Sequence, residues 1–279
     1  MALLLLAALL PLYALAAVGV QAAVVEIHTG GRAIATADYR PGKPDKPAVL
    51  VLHGFLQTRE FGIASSIADT LADEGYTVLA PNLSLGISSR KSSLDCEALH
   101  LHDMEGDLGE IQQWMQWLRE RGHRKIIGIG HSFGATQLLA WREQYREKGF
   151  PLIAVSLVSS APLAVEAPGN PAARPPVAQK AQGALTHAPL SFCRGYTAPA
   201  DKYTSYLRWD EHRTLAALRY AANRTDIILG GEDKYLPPEW AARLAKTGAR
   251  VRLLKGASHF MDGTLEFDML DAILGILKR

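Results

Sequence analysis

An excess of charge of either sign is what this sequence lacks most clearly. Thirty lysines and arginines face 28 aspartates and glutamates, leaving a formal net charge of +2 with the signs interspersed. That excludes both the basic stripe of a nucleic-acid binder and a field built for a strongly acidic partner. Cysteine is scarce as well: Cys96 and Cys193 are the only two, too few for a disulfide-stapled miniature scaffold or a cysteine-built metal centre. Internal repeats and low-complexity tracts are missing, which removes solenoids from consideration. Of the histidines, His28, His123, His187 and His212 show no ligand spacing. The pair His100-x-His102 adjoins Asp103, but a polar loop passing near the surface explains those letters without a metal. No metal or cofactor is expected. Arg90-Lys91 reads as a solvated loop.

Apolar sequence, by contrast, is plentiful. Hydrophobic residues make up 48% of 279 positions, enough for a large core in one α/β unit. Met1 to Val20 is almost uninterrupted apolar sequence, followed by Gln21-Ala22-Ala23, whose small residues suit signal-peptidase cleavage. The run has no basic start and is long enough to span a bilayer, so two readings stay open: a signal peptide over residues 1–23, or a retained anchor. Both place residues 24–279 outside the cytoplasm, periplasmic or secreted, with membrane contact only in the second. In such an oxidising space Cys96 and Cys193 are expected to form a disulfide, two unpaired thiols being the alternative. Closing so long a loop restricts the unfolded chain by roughly 4–5 kcal/mol on the chain-entropy account.

After the leader, Val24–Ile27 and Ala33–Ala37 predict an antiparallel pair turning at Gly30-Gly31. Short β-rich runs near Val49, Val78, Ile127, Val155, Ile228 and Leu253 then alternate with helical patterns around Ala64–Asp73, Asp107–Arg119, Ala135–Arg146, Glu239–Ala245 and Leu265–Leu277. This alternation predicts a mostly parallel sheet with helices on both faces. Between Ser159 and Arg224 the rhythm breaks. A Pro/Ala-rich stretch, Ala167 to Pro176, gives way to polar-aromatic sequence with Tyr196, Tyr203, Tyr206 and Trp209. Those rings either line a substrate entrance or pack a small cap onto the core.

The most informative stretch is Gly130-His131-Ser132-Phe133-Gly134, set between the strand Lys125–Ile129 and a helical pattern beginning at Ala135. Glycines on either side let strand and helix approach closely while the serine is held on a strained turn with its hydroxyl exposed. A serine hydroxyl is a poor nucleophile at neutral pH, so it needs a base and a group that orients that base. His259 and Asp233 follow downstream, each just after a strand, and so belong to the crevice beyond the strands' carboxyl ends. His53 and His131 flank the same region beside tight-turn glycines and are read as packing or orienting residues. Asp226 is a rival acid, but it starts its strand instead of ending it.

With Leu52-His53-Gly54-Phe55, Gly230-Gly231-Glu232-Asp233 and Gly256-Ala257-Ser258-His259-Phe260 added to the elbow, the chain from about Ala48 to Leu277 resembles the α/β-hydrolase superfamily. The resemblance implies a triad of Ser132, Asp233 and His259 in the chain order of that fold. It also implies an oxyanion hole from the backbone N–H groups of Phe55 and Phe133, and a cap inserted at about 161–224. One loop departs from the pattern: where many relatives carry Asp-x-Arg-Gly-x-Gly-x-Ser, this chain has Asn82-Leu83-Ser84-Leu85-Gly86-Ile87-Ser88-Ser89. The implied activity is hydrolysis of a carboxylic ester of a small or medium-sized acyl compound. Peptidases, thioesterases and lipases use the same apparatus, and a non-catalytic binding protein on this scaffold is the reading from another class.

Overall fold

The computed structural model describes residues 22–30, 33–161 and 184–279. The apolar leader Met1–Val20, Gly31 of the predicted turn and the Pro/Ala-rich stretch lie outside the described residues. Eight strands form one sheet: β1 (Ala23–His28), β2 (Ile34–Arg40), β3 (Ala48–Leu52), β4 (Thr77–Asn82), β5 (Ile126–His131), β6 (Leu152–Val155), β9 (Thr225–Gly230) and β10 (Arg250–Leu254). Their spatial order is β1-β2-β4-β3-β5-β6-β9-β10. The β1–β2 and β2–β4 pairs are antiparallel and all others parallel. The mostly parallel sheet of the sequence reading is therefore the observed one.

Period-two alternation decides which side chain meets which helix layer. Ala48, Leu50 and Leu52 of β3 join one core, and Val49 and Val51 the other. The first core is closed by α2 (Met104–Glu120), α3 (Phe133–Gln144), α5 (Glu211–Tyr220) and α6 (Trp240–Ala245), through Trp114, Leu138, Leu215 and Leu244. The second is closed by α1 (Gly62–Asp73) and α7 (Leu265–Leu277), through Ile67, Leu71, Met269 and Ile273. Each such side chain contributes roughly 1.5–3 kcal/mol on burial, so a strand lined on both faces is held firmly. From β3 the chain runs first to β4 on one side and later to β5 on the other. The crevice between the β3 and β5 loops is thus the sheet's switch point, where ligands of open α/β sheets bind.

Between β6 and β9 lie a hairpin of β7 (Leu185–Leu190) and β8 (Cys193–Pro199) and the helices α4 (Ala200–Leu207) and α5. The α5 start carries a readable signal that the sequence reading passed over: the Asp210 carboxylate accepts the Arg213 N–H at 2.8 Å as an N-cap. Tyr196, Tyr203, Tyr206 and Trp209 are all buried, which selects core packing over an entrance lining. Cys96 and Cys193 form the predicted disulfide, Cα–Cα 5.4 Å, tying the β4–α2 loop to the first residue of β8. Among the described residues no helix is long and apolar enough to cross a membrane.

Candidate active site

Ser132 follows the last residue of β5 and precedes the first of α3, at φ 54° and ψ −127°, a conformation L-residues rarely hold. Two neighbours make it possible. A side chain on Gly130 would meet the Ala135 backbone nitrogen at 2.5 Å, and one on Gly134 would overlap the His53 carbonyl oxygen. Only glycine at both positions lets α3 begin so close to β3 and β5. The Ser132 N–H donates to Val155 O at 2.8 Å, which anchors the turn to β6.

Three loops at the carboxyl ends of the strands then converge. His259, after β10, has Nε2 2.9 Å from Ser132 Oγ, and its Nδ1–H donates to Asp233 Oδ2 at 2.7 Å. Asp233, after β9, uses its other oxygen to accept the Tyr235 N–H at 2.9 Å. Its carboxylate is fully buried, and Ser132 and His259 are 7% and 4% exposed. With the Nδ1 proton committed to Asp233, Nε2 is free to accept from the serine hydroxyl. The rival Asp226 stands at the opposite, amino end of β9, paired with Arg250 at 2.6 Å and Arg279 at 3.0 Å.

The flanking histidines are structural fasteners. His131 Nε2–H donates to the His259 carbonyl at 3.2 Å, and the Ser156 hydroxyl donates to the same oxygen at 2.8 Å, fixing the backbone that carries the imidazole. Ser156 was not singled out in the sequence. Its signal is a polar residue ending an apolar strand run, at φ 51°. His53 Nδ1–H donates to Gly54 O at 2.8 Å while Nε2 accepts the Leu83 N–H at 3.1 Å. Burial first, and then nearby positive charge, push the His53 side chain down to about 3, so it stays neutral. His131, pushed down to about 3 chiefly by burial, is neutral as well.

Phe55 and Phe133 meet edge to face at 5.3 Å. Phe133 opens α3, so its N–H belongs to the first helical turn, which has no partner inside the helix. Below this pair Tyr206 packs at 5.5 Å from Phe55 and 6.0 Å from Phe133. The reading of His100-x-His102-Asp103 as a surface loop is corrected here: His100 and His102 are 1% and 8% exposed. Tyr206 Oη lies 2.6 Å from both His102 Nδ1 and Asp107 Oδ2, and His102 Nε2 is 3.3 Å from His100 Nδ1. Burial raises the Asp107 carboxyl well above the usual carboxylate range. The Tyr206 hydroxyl and the Gln137 amide both donate to Asp107 Oδ2, at 2.6 and 2.7 Å, and the far end of the cluster is held by the His100 Nε2–H, which donates to the Asp95 carbonyl at 3.1 Å. Asp103 caps α2, accepting the Gly106 N–H at 2.7 Å, and pairs with Lys202. Among the described residues no group of three His, Cys, Asp or Glu side chains is placed to hold a metal ion.

Arg90 corrects a second expectation. Unlike exposed Lys91, it is 4% exposed and donates to Leu83 O, Ser92 O and Gln57 O at 2.7–2.8 Å, stitching the β3 and β4 loops together. Buried Glu110 fastens the same region by accepting the Ser84 N–H at 2.9 Å and its hydroxyl at 2.6 Å. Burial pushes the Glu110 carboxyl from 4.5 up to about 7. Between those values the folded chain holds a proton that the unfolded chain has released, so this group makes stability fall as pH rises across the window. Glu110→Gln is therefore expected to lose less melting temperature than the unmodified chain between pH 5 and pH 7.5. Equal losses in thermal melts would refute this.

A cavity of about 190 Å³ opens at the serine, lined by Phe55, Gln57, Phe61, Ser132, Phe192, Tyr235, His259 and Phe260. A sequence model described as Alpha/beta hydrolase family matches residues 49–266.

The chain belongs to the alpha/beta hydrolase family.

Solved alpha/beta hydrolases share its fold at low identity. GrgF from Penicillium sp. sh18 superposes with a TM-score of 0.69 at 18% identity, covering 93% of this chain and 98% of its own. Est1E from Butyrivibrio proteoclasticus gives 0.65 at 16%, covering 91% and 98%. The thioesterase domain from the curacin biosynthetic pathway gives 0.59 at 20%, covering 93% and 100%. A comparison with curated proteins finds no match.

Proposed function

We propose that this alpha/beta hydrolase is an exported serine esterase that cleaves carboxylic esters of small or medium-sized acids through an acyl-enzyme. The observation that carries the reading is the unbroken hydrogen-bonded line from Asp233 through His259 to Ser132, buried at the floor of an aromatic cavity. In the first step His259 Nε2 takes the Ser132 proton as Oγ attacks the acyl carbon. The negative oxygen of the tetrahedral intermediate is held by the backbone N–H groups of Phe55 and Phe133, each such donor contributing about 3–4 kcal/mol. Collapse passes the proton from His259 to the departing alcohol. Water then repeats the sequence and frees the acid. Asp233 holds the Nδ1–H tautomer and stabilises the imidazolium; no step calls for a cofactor.

Export is supported by the apolar leader and by the Cys96–Cys193 bridge, since disulfides persist in oxidising compartments. The test of the reaction class is a panel of p-nitrophenyl esters of rising acyl length beside a matched acyl thioester and an aminopeptidase substrate. Highest kcat/KM on the oxygen esters is expected. A preference for the amide or the thioester would overturn the ester assignment.

A further inference from the structure

We propose that Phe192, carried on the disulfide-clamped β7–β8 turn, is the acyl-size filter of this site. The inference rests on the ester reading above and names the substrate class more narrowly: short straight-chain or single-ring acyl groups.

The cavity has two unlike sides. On one, the His259 ring faces Tyr235 at 5.1 Å and Phe260 at 5.2 Å, and Phe260 packs on Phe61 at 5.7 Å. A leaving alcohol must sit on this side, because it takes its proton from His259. The acyl group is left with the other side, beside the Phe55 and Phe133 backbone donors. There Phe192 stands edge-on to Phe55 at 6.1 Å and forms the outer wall. A volume of about 190 Å³ is below the range of about 300–1,000 Å³ common for drug-sized ligands. A long chain must therefore displace a ring to enter.

The backbone that carries Phe192 is pinned on both sides. Phe192 is one of two residues in the turn between Leu190 and Cys193, which face each other across the hairpin. Its neighbour Ser191 sits at φ 52° and donates its N–H to Ser160 O at 3.2 Å. Cys193 is bonded to Cys96, and further along β8 the Thr197 carbonyl accepts the His100 N–H at 2.8 Å. The bridge thus fastens the residue next to the wall to the β4–α2 loop. Of the two readings left open for Tyr196, Tyr203, Tyr206 and Trp209, core packing is the observed one; the exposed rings of the cavity are Phe192 and Phe260, 39% and 38% exposed, and Phe192 is the one beside Phe55.

The experiment compares kcat/KM for p-nitrophenyl acetate and decanoate, at fixed alcohol, in the unmodified chain, Phe192→Ala, Phe192→Leu, Cys96→Ser/Cys193→Ser and the combined variant. Leu185→Ala at the far end of the hairpin serves as the control. The decanoate-to-acetate ratio is expected to rise about tenfold or more in Phe192→Ala, less in Phe192→Leu, and not at all in Leu185→Ala. Loss of the bridge should raise it in the same direction and add nothing once Phe192 is alanine. An unchanged ratio in the folded Phe192 variants overturns the proposal. So does a bridge effect of equal size with and without the phenyl ring, or a shift confined to alkyl acetates of rising alcohol length. The same ratio is read without ester turnover from the rates at which short- and long-chain alkyl fluorophosphonates label Ser132. A chain that labels but hydrolyses no ester would refute the ester reading while the labelling ratio still decides the filter, and a chain that does neither refutes both.

Discussion

Ser132→Ala is expected to fold with a melting temperature close to that of the unmodified chain and to lose about a millionfold in kcat on its best ester. The methyl group keeps the Cβ that already occupies the strained φ of 54°, and the backbone bond to Val155 O is untouched. What disappears is the oxygen 2.9 Å from His259 Nε2. Because nucleophile and base act as one unit, adding His259→Ala to Ser132→Ala should cost almost nothing more. Measured kcat values for both single variants and the double variant check this. Losses that multiply, or a Ser132→Ala chain that keeps a thousandth of its turnover, would show that the serine is not the nucleophile.

Asp233→Asn is expected to lower kcat about ten-thousandfold with little effect on the melting temperature. The Tyr235 N–H holds Oδ1 of residue 233 at 2.9 Å, and an asparagine there keeps its carbonyl oxygen in that bond. Its NH₂ group is then turned toward His259 Nδ1, where the carboxylate now accepts at 2.7 Å. A donor in that place forces the imidazole proton onto Nε2, which would face Ser132 as a donor and be unable to take the hydroxyl proton. Asp226→Asn is the comparison. It weakens partly exposed ion pairs with Arg250 and Arg279, worth at most about 1 kcal/mol, and should leave kcat unchanged. Equal losses in the two variants would contradict the distinction between the acids.

The parts of this molecule that sequence made legible are those where chemistry or steric limits leave little choice. A serine between two glycines at a strand end, and an acid and a histidine after later strands, need particular residue types at particular places. The sheet was legible because β3, β4 and β9 are short apolar runs with no exposed face. The walls of the cavity were not. Phe61, Phe192 and Tyr235 are ordinary letters until the β3–α1 loop, the hairpin and the β9–α6 loop bring them to Ser132. His100, His102 and Arg90 looked polar and loose because their partners are distant in sequence: Tyr206 lies 104 residues from His102, and Gln57 lies 33 from Arg90. Burial of a polar side chain is decided by such long-range partners, and local composition carries no trace of them.

Covalent capture of the nucleophile tests the central claim most directly. The chain is treated with a fluorophosphonate, and its adduct is weighed intact and mapped on peptides, beside a His259→Gln variant. One adduct per chain is predicted, on the peptide that contains Ser132, with the labelling rate of the variant reduced about a hundredfold to ten-thousandfold. An adduct on any other residue, or a His259→Gln chain labelled as fast as the original, would contradict it.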